Sequence, residues 1–342
     1  MEASAPSEPR LAPESPPRLN DAGVPGRTRP RFEELPPGPP AWPGWVAVAT
    51  AFVALLVAGA IAVIGGADRS PASALMLAAS LLGGAALLLA GLVWIPIAGI
   101  VRRRILPDDR YRGGSVIALF LLALVGGGIL SAPLLLALSH WDASVLANPP
   151  PSLITFELLV TPLSLLGVLV IFVALPRALP RLRLWRGLAS VRWLLIGCGL
   201  GIVTWVAITV AAALVEALLS RFGVQLGGQQ DVIGLAQKVS PLVAVLTIAV
   251  LAPIAEELFF RGLVFNAWER EYGTRRAVLG SALLFSTAHL AGGGGAPTLV
   301  ITFVLGLILA LVFAGTRTIT TTIGLHAFFN LTTLVLIFAG VQ

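Results

Sequence analysis

Nine apolar stretches punctuate the chain, at about 45–66, 74–101, 114–138, 153–175, 193–218, 241–268, 277–291, 297–315 and 319–340. Most exceed the roughly 18 residues that a bilayer-spanning helix needs, whereas the seventh is short. The pattern therefore predicts an all-α fold, a polytopic membrane helical bundle with eight or nine transmembrane helices. Polar residues concentrate at one end of the chain: residues 1–44 hold 12 of the 25 prolines, five arginines and six acids. That composition cannot bury a core and lacks the basic-then-apolar order of a signal peptide, so it reads as a disordered Pro-rich tail. The stretch 219–240 reads as an outer connection with room for a short interfacial helix. Three units are expected: the tail 1–44, N-terminal helices over 45–192, and a second membrane domain over 193–342.

Composition agrees with the pattern. The chain is 57% hydrophobic and 12% charged, against about 25% charged in soluble domains. Its net charge of +6 comes from 22 arginines and Lys238 against 17 acids. These arginines form no single basic face of the kind that binds nucleic acid, which excludes that partner. They cluster instead in alternate connections: Arg102, Arg103, Arg104, Arg110 and Arg112; then Arg177, Arg181, Arg183, Arg186 and Arg192; then Arg270, Arg275 and Arg276; then Arg317. The connections between are poor in cations. By the positive-inside rule the even-numbered connections and the N-terminus are cytoplasmic. Arginine over lysine, with abundant Ala, Gly, Leu and Val, is the usage of a GC-rich bacterial genome, so the expected location is a bacterial cytoplasmic membrane. The lone Cys198 supports neither a disulfide framework nor a thiolate metal site. Gly83 with Gly84, and Gly126 to Gly128, read as helix-packing positions, and Gly292 to Gly295 as an outer turn.

Ionisable groups inside hydrocarbon are costly and usually functional. Glu157 and Glu216 lie near segment ends, within reach of headgroups, and His140 lies in an outer loop. Glu256 and Glu257 are deep in the sixth segment. Glu257 and Arg261, four residues apart, can pair on one helix face, which leaves Glu256 about 100° around the helix without a local partner. His289 and His326 follow in later apolar helices, with Phe285 four residues before the first and Asn330 four after the second. At 1.5 Å per residue, Glu256 and His289 lie about 20 Å from the arginine-rich turn between their helices, and His326 and Asn330 roughly 13–20 Å in from Arg317. Three helices thus bring polar groups to one layer of the membrane.

A carboxylate hydrogen-bonded to water is a general base, and an adjacent histidine can share that work. A histidine with an amide four residues on can offer donors to an oxyanion. Alternatively, Glu256, His289 and His326 could ligate zinc and leave a position for water. Two other classes use the same residues: a proton relay in a transporter, and a catalytically silent membrane scaffold or immunity protein.

The motifs Glu256-Glu257-Leu-Phe-Phe-Arg261, Phe285-Ser-Thr-Ala-His289 and His326-Ala-Phe-Phe-Asn330 occur in this order on successive helices. In this the chain resembles the CPBP family, the CAAX-processing endopeptidases and their bacteriocin-processing relatives, over roughly residues 195–340. The resemblance implies an intramembrane endopeptidase acting on a peptide or lipidated membrane protein. It further implies that Glu256 and His289 activate water, that His326 and Asn330 stabilise the oxyanion, and that Glu257, Arg261 and Phe285 support the site. Both glutamate-type and zinc-dependent mechanisms are compatible with it. Other intramembrane protease classes lack their motifs here: there is no His-Glu-x-x-His, Gly-x-Ser-x-Gly or Gly-x-Gly-Asp.

Overall fold

The computed structural model describes residues 38–64, 70–107, 110–140, 142, 144–145, 148–179, 187–222, 230–292 and 295–340. Residues 1–37 of the expected tail lie outside these, as do Arg69, Arg181, Arg183, Arg186, Gly227 to Gln229, Gly293 and Gly294. In chain order the long helices are α1 (Trp42–Ile64), α2 (Pro71–Arg103), α3 (Val116–Leu138), α4 (Pro151–Ala174), α5 (Leu188–Ser220) and α6 (Pro241–Tyr272). They continue with α7 (Thr274–Ala288), α8 (Gly295–Thr316) and α9 (Ile319–Phe338). All but α7 are long and apolar enough to cross a membrane, which makes eight candidate spans among the described residues. The 15 residues of α7 cover only about 22 Å, and the 3₁₀ turn His289–Gly292 extends them. The short helix expected between α5 and α6 is present at Gln230–Gln237.

Without a hydrophobic drive between helices in lipid, close packing rests on small residues. In α1 the buried positions are Gly44, Ala51 and Ala58, one every seven residues. In α2 Gly84, Gly91 and Ala98 repeat the same spacing. The two stripes face each other: a Cβ on Gly91 would collide with the Gly44 carbonyl, and one on Gly84 would meet Leu55 and the Ala51 carbonyl. Of the glycines expected to pack, Gly126 and Gly127 also meet neighbouring side chains, whereas Gly83 and Gly128 face open space.

A tighter crossing joins α5 to α9. Gly197 and Gly201, one turn apart, lie directly against the Thr321 and Leu325 carbonyls, and Gly324 lies against the Leu194 carbonyl. Trp205 Nε1 donates to Thr333 Oγ1 at 2.9 Å and adds a polar tie further along. This crossing fixes the helix that carries His326. Gly197→Val is expected to cost about 1–3 kcal/mol through overpacking and to impair activity, because α9 must move away. Gly199→Val is the control, since nothing lies within 4 Å of that position. Equal thermal stability of the two variants in detergent would refute this account.

The arginine-rich connections gather at one end of the bundle. Arg103 pairs with Glu271 at 2.6 Å, Arg317 with Glu269 at 2.6 Å, and the Arg112 N–H donates to the Ala178 carbonyl at 2.8 Å. The ends of α2, α4, α6 and α8 are thereby joined, as the alternation of cationic loops requires.

Candidate active site

The site is built on α6, which is not a uniform α-helix. It widens into π-helix at Val245–Leu251 and again at Leu258–Phe265, with Ala252–Glu257 between. Such turns have identifiable causes and frequently mark functional sites. In the first, the Ala252 N–H reaches back five residues to the Thr247 carbonyl. Continuing that pattern, residue 253 would donate to the Ile248 carbonyl, but residue 253 is proline and has no N–H. Asn330 of α9 supplies the donor: its Nδ2 lies 2.9 Å from the Ile248 oxygen. In the second wide turn, the buried Asn266 takes the same part, donating from Nδ2 to the carbonyls of Arg261 (2.7 Å) and Gly262 (3.0 Å).

Between these turns stand the two glutamates. Glu257 and Arg261 are fully buried and form the expected pair, Arg261 Nη1 donating to Glu257 Oε1 at 2.8 Å. Arg261 Nη2 donates to the Gly306 carbonyl at 2.9 Å. Gly306 lets α8 lie close to α7, since a Cβ there would press on Ala282 and Phe285 at 3.1–3.2 Å. The guanidinium also stacks on the Phe285 ring, 4.8 Å from its centroid. His326 Nδ1 lies 3.1 Å from the same Oε1 of Glu257. A carboxylate oxygen accepts, so Nδ1 carries the proton and Nε2 is left facing Glu256, 3.8 Å from Oε2.

Glu256 differs from its neighbour. Its side chain is 16% exposed where that of Glu257 is fully buried, and although Oε2 of each is buried without a hydrogen-bond partner, Glu256 has nothing like the bonds that hold Oε1 of Glu257. The 3.8 Å gap to His326 Nε2 exceeds a direct hydrogen bond, so the two groups face each other without a bond between them.

Phe285 links the remaining histidine to this group. Its ring lies 5.5 Å from that of His326 and 4.8 Å from that of His289. His289 Nδ1 is 2.9 Å from the Phe285 carbonyl. A carbonyl can only accept, so Nδ1 bears the hydrogen and Nε2 keeps its lone pair. Phe285 also packs edge-to-face on Phe260, which in turn meets Phe259 and Phe120 edge-to-face, and this carries the packing from α7 through α6 to α3.

The structure thus brings Glu256, Glu257, Arg261, Phe285 and His326 together, with His289 against the same ring. Asn330 is one turn beyond His326 and is bonded to the backbone of α6. Glu157, Glu216 and His140 are exposed and apart from the cluster. Three contributors escaped the sequence reading. Asn266 and Gly306 carry no signal of their own. Gly197-x-x-x-Gly201 in an apolar helix does carry one. Among the described residues no three His, Cys, Asp or Glu side chains are grouped to hold a metal ion. Each histidine has the oriented Nδ1 that zinc ligands have, but Glu256, His289 and His326 do not form a three-ligand centre as placed.

Asn330→Ala leaves the Ile248 carbonyl in the bilayer without a donor. The expected loss is about 1–3 kcal/mol of stability, measured by thermal unfolding in detergent. Asn330→Asp, which cannot donate when ionised, should show a similar loss, while Asn330→Gln can retain part of the contact. If Asn330→Ala is as stable as wild type, the contact does not brace α6.

The fold defines a multi-pass membrane protein with a buried acid–histidine cluster sunk between its helices. Residues 238–332 match the family model described as type II CAAX prenyl endopeptidase Rce1-like. Over these residues the chain carries an Rce1-like domain, consistent with the CPBP family, and the match supports an intramembrane protease. All seven site residues fall inside the matched stretch. No curated protein and no solved structure matches the chain.

Proposed function

We propose that the chain is an intramembrane endopeptidase in which Glu256 is the general base, cleaving a peptide or lipidated membrane-anchored substrate. The observation that carries this reading is the contrast between the glutamates: Glu257 is fully buried and its Oε1 is held by Arg261 and His326, whereas Glu256 is 16% exposed and no such pair holds it. Glu256 takes a proton from a water held between it and a histidine Nε2. The resulting hydroxide attacks the scissile carbonyl carbon, and the same proton passes to the leaving amine nitrogen as the C–N bond breaks. His289, with Nε2 as an acceptor, shares in orienting that water. His326 stabilises the oxyanion when Nε2 is protonated, and the second Nδ2 hydrogen of Asn330 is available for the same purpose. Glu257, Arg261 and Phe285 hold His326 in place.

The catalytic unit in this proposal is residues 193–342, because α5 braces α9. By the positive-inside rule the arginine-rich end faces the cytoplasm, as does the N-terminus, and the membrane is a bacterial cytoplasmic one. The CAAX endopeptidase match favours cleavage of lipidated proteins; bacteriocin processing uses the same chemistry on another peptide.

The test is cleavage of a membrane-peptide library by the purified full chain in nanodiscs, with and without chelator, alongside His289→Ala. Cleavage that His289→Ala abolishes and chelator leaves intact supports the glutamate-type reading. Loss on chelation, restored by zinc, would replace it with a zinc-dependent mechanism. Cleavage unchanged by His289→Ala would overturn the role assigned to that residue, and an inactive wild type would overturn the peptidase reading in favour of a silent scaffold.

A further inference from the structure

A cavity lies at the arginine-rich end of the bundle. Glu271 in its wall is 14 residues past Glu257, about 20 Å along α6. The cavity has a volume of about 290 Å³ and opens between the C-terminal ends of α2 and α6 and the N-termini of α1 and α3. Arg102, Arg103, Tyr111 and Ser115 bring donors to its wall, and Glu271 a carboxylate. Tyr111 is 2% exposed, and its hydroxyl has no hydrogen-bond partner. Burial pushes the Tyr111 phenol up, so it keeps its proton and can donate at neutral pH. Arg102 Nε is likewise buried and unpartnered. Ser115 caps α3, accepting from the Ala118 N–H at 3.4 Å. Val116 and Ile117, which follow it, line the cavity. The first N–H groups of a helix have no intrahelical acceptor and carry the positive end of its dipole.

Charge points the same way. Arg103 is neutralised by Glu271 at 2.6 Å, and Arg102, also in the wall, has no such counter-ion among the described residues. A buried phenol and a buried guanidinium nitrogen left unmatched are costly, and both are relieved only by an acceptor. A guanidinium, a hydroxyl and a helix N-terminus in the wall of one cavity suit a tetrahedral, multiply accepting anion. Trp45 and Trp268 form part of the apolar wall, at the level where indoles meet headgroups.

We propose that this cavity binds a phosphate group, carried by an anionic lipid headgroup or by a soluble phosphate, and that its occupancy ties α2, α3 and α6 together. The experiment uses the full chain in nanodiscs of phosphatidylcholine with and without phosphatidylglycerol, plus a phosphatidylcholine arm with inorganic phosphate. Melting temperature and lipid retained by native mass spectrometry are read for wild type, Arg102→Gln, Tyr111→Phe and Arg104→Gln. Phosphatidylglycerol is expected to raise the wild-type melting temperature by a few degrees. Both Arg102→Gln and Tyr111→Phe should lose most of that gain and retain the lipid roughly tenfold less well. Arg104→Gln removes an exposed arginine outside the cavity and keeps the gain. A gain reproduced by inorganic phosphate alone assigns the ligand to the soluble source, and an inert phosphate arm assigns it to the lipid. No gain in either arm, or variants that lose no more than Arg104→Gln, would overturn the proposal. Tyr111→Phe deletes a single oxygen, so it keeps the test decisive if Arg102→Gln fails to fold.

Discussion

Glu256→Gln is expected to reduce peptide cleavage about 10³-fold while leaving the melting temperature within a degree or two of wild type. The amide keeps the size and one acceptor oxygen of the carboxylate but cannot take a proton from water. Stability changes little because the carboxylate gives up few native contacts: Oε2 has no hydrogen-bond partner, and His326 Nε2 stands 3.8 Å from it. The same substitution at Glu257 behaves differently, since it weakens bonds to both Arg261 and His326. The decisive comparison is therefore of the two variants in activity and in unfolding. Glu256→Gln that cleaves at the wild-type rate removes Glu256 from the chemistry. Glu256→Gln that unfolds as readily as Glu257→Gln shows that Glu256 is structural.

Arg261→Met is expected to be the most destabilising single change in the site, at about 3–5 kcal/mol. Arg261 and Glu257 both have fully buried side chains, so removing the cation leaves a carboxylate uncompensated in a low dielectric. The loss does not stop at the pair. The Gly306 carbonyl on α8 forfeits its donor, and the Phe285 ring forfeits the guanidinium stacked on it. The double variant Glu257→Gln/Arg261→Met removes both charges and is expected to recover a substantial part of the lost stability. It should recover no activity, because His326 loses the ionised carboxylate that fixes its tautomer. Chemical or thermal unfolding of wild type, both single variants and the double closes the cycle. Strict additivity of the two single changes would mean that the pair is not coupled, contrary to the geometry.

How much of this was legible beforehand divides along a physical line. Spans were legible because lipid demands long apolar helices with internally satisfied backbones. The Glu257–Arg261 pair was legible because it is local, four residues along one helix. Common depth was legible because helical rise is fixed, and it correctly brought His326 towards the glutamates. Which nitrogen met which oxygen was not. Glu256 and Glu257 are adjacent in sequence, and only the packing of α9 on α5 decides that His326 Nδ1 meets Glu257. The π-helical turns were also hidden, since a helical wheel assumes 100° per residue throughout. Pro253 was a visible clue to the first of them. Asn330 shared a face with His326 as spacing required, yet its partner proved to be the Ile248 carbonyl, 82 positions earlier in the chain. No local pattern announces a carbonyl that a proline elsewhere has left without a donor.

The two wide turns have a consequence for how this helix tolerates length changes. A π-turn accommodates one residue more than an α-helix would between the same flanking positions. α6 therefore holds one surplus residue on each side of Ala252–Glu257. Deleting a single residue within Val245–Leu251 or within Leu258–Phe265 lets the local backbone revert to α-helix while both flanks keep their facing. The glutamates would remain aimed at α9 after a deletion that, in a regular helix, would rotate everything beyond it by about 100°. Alignments of related chains will accordingly show one-residue gaps at these two places and an ungapped block between them.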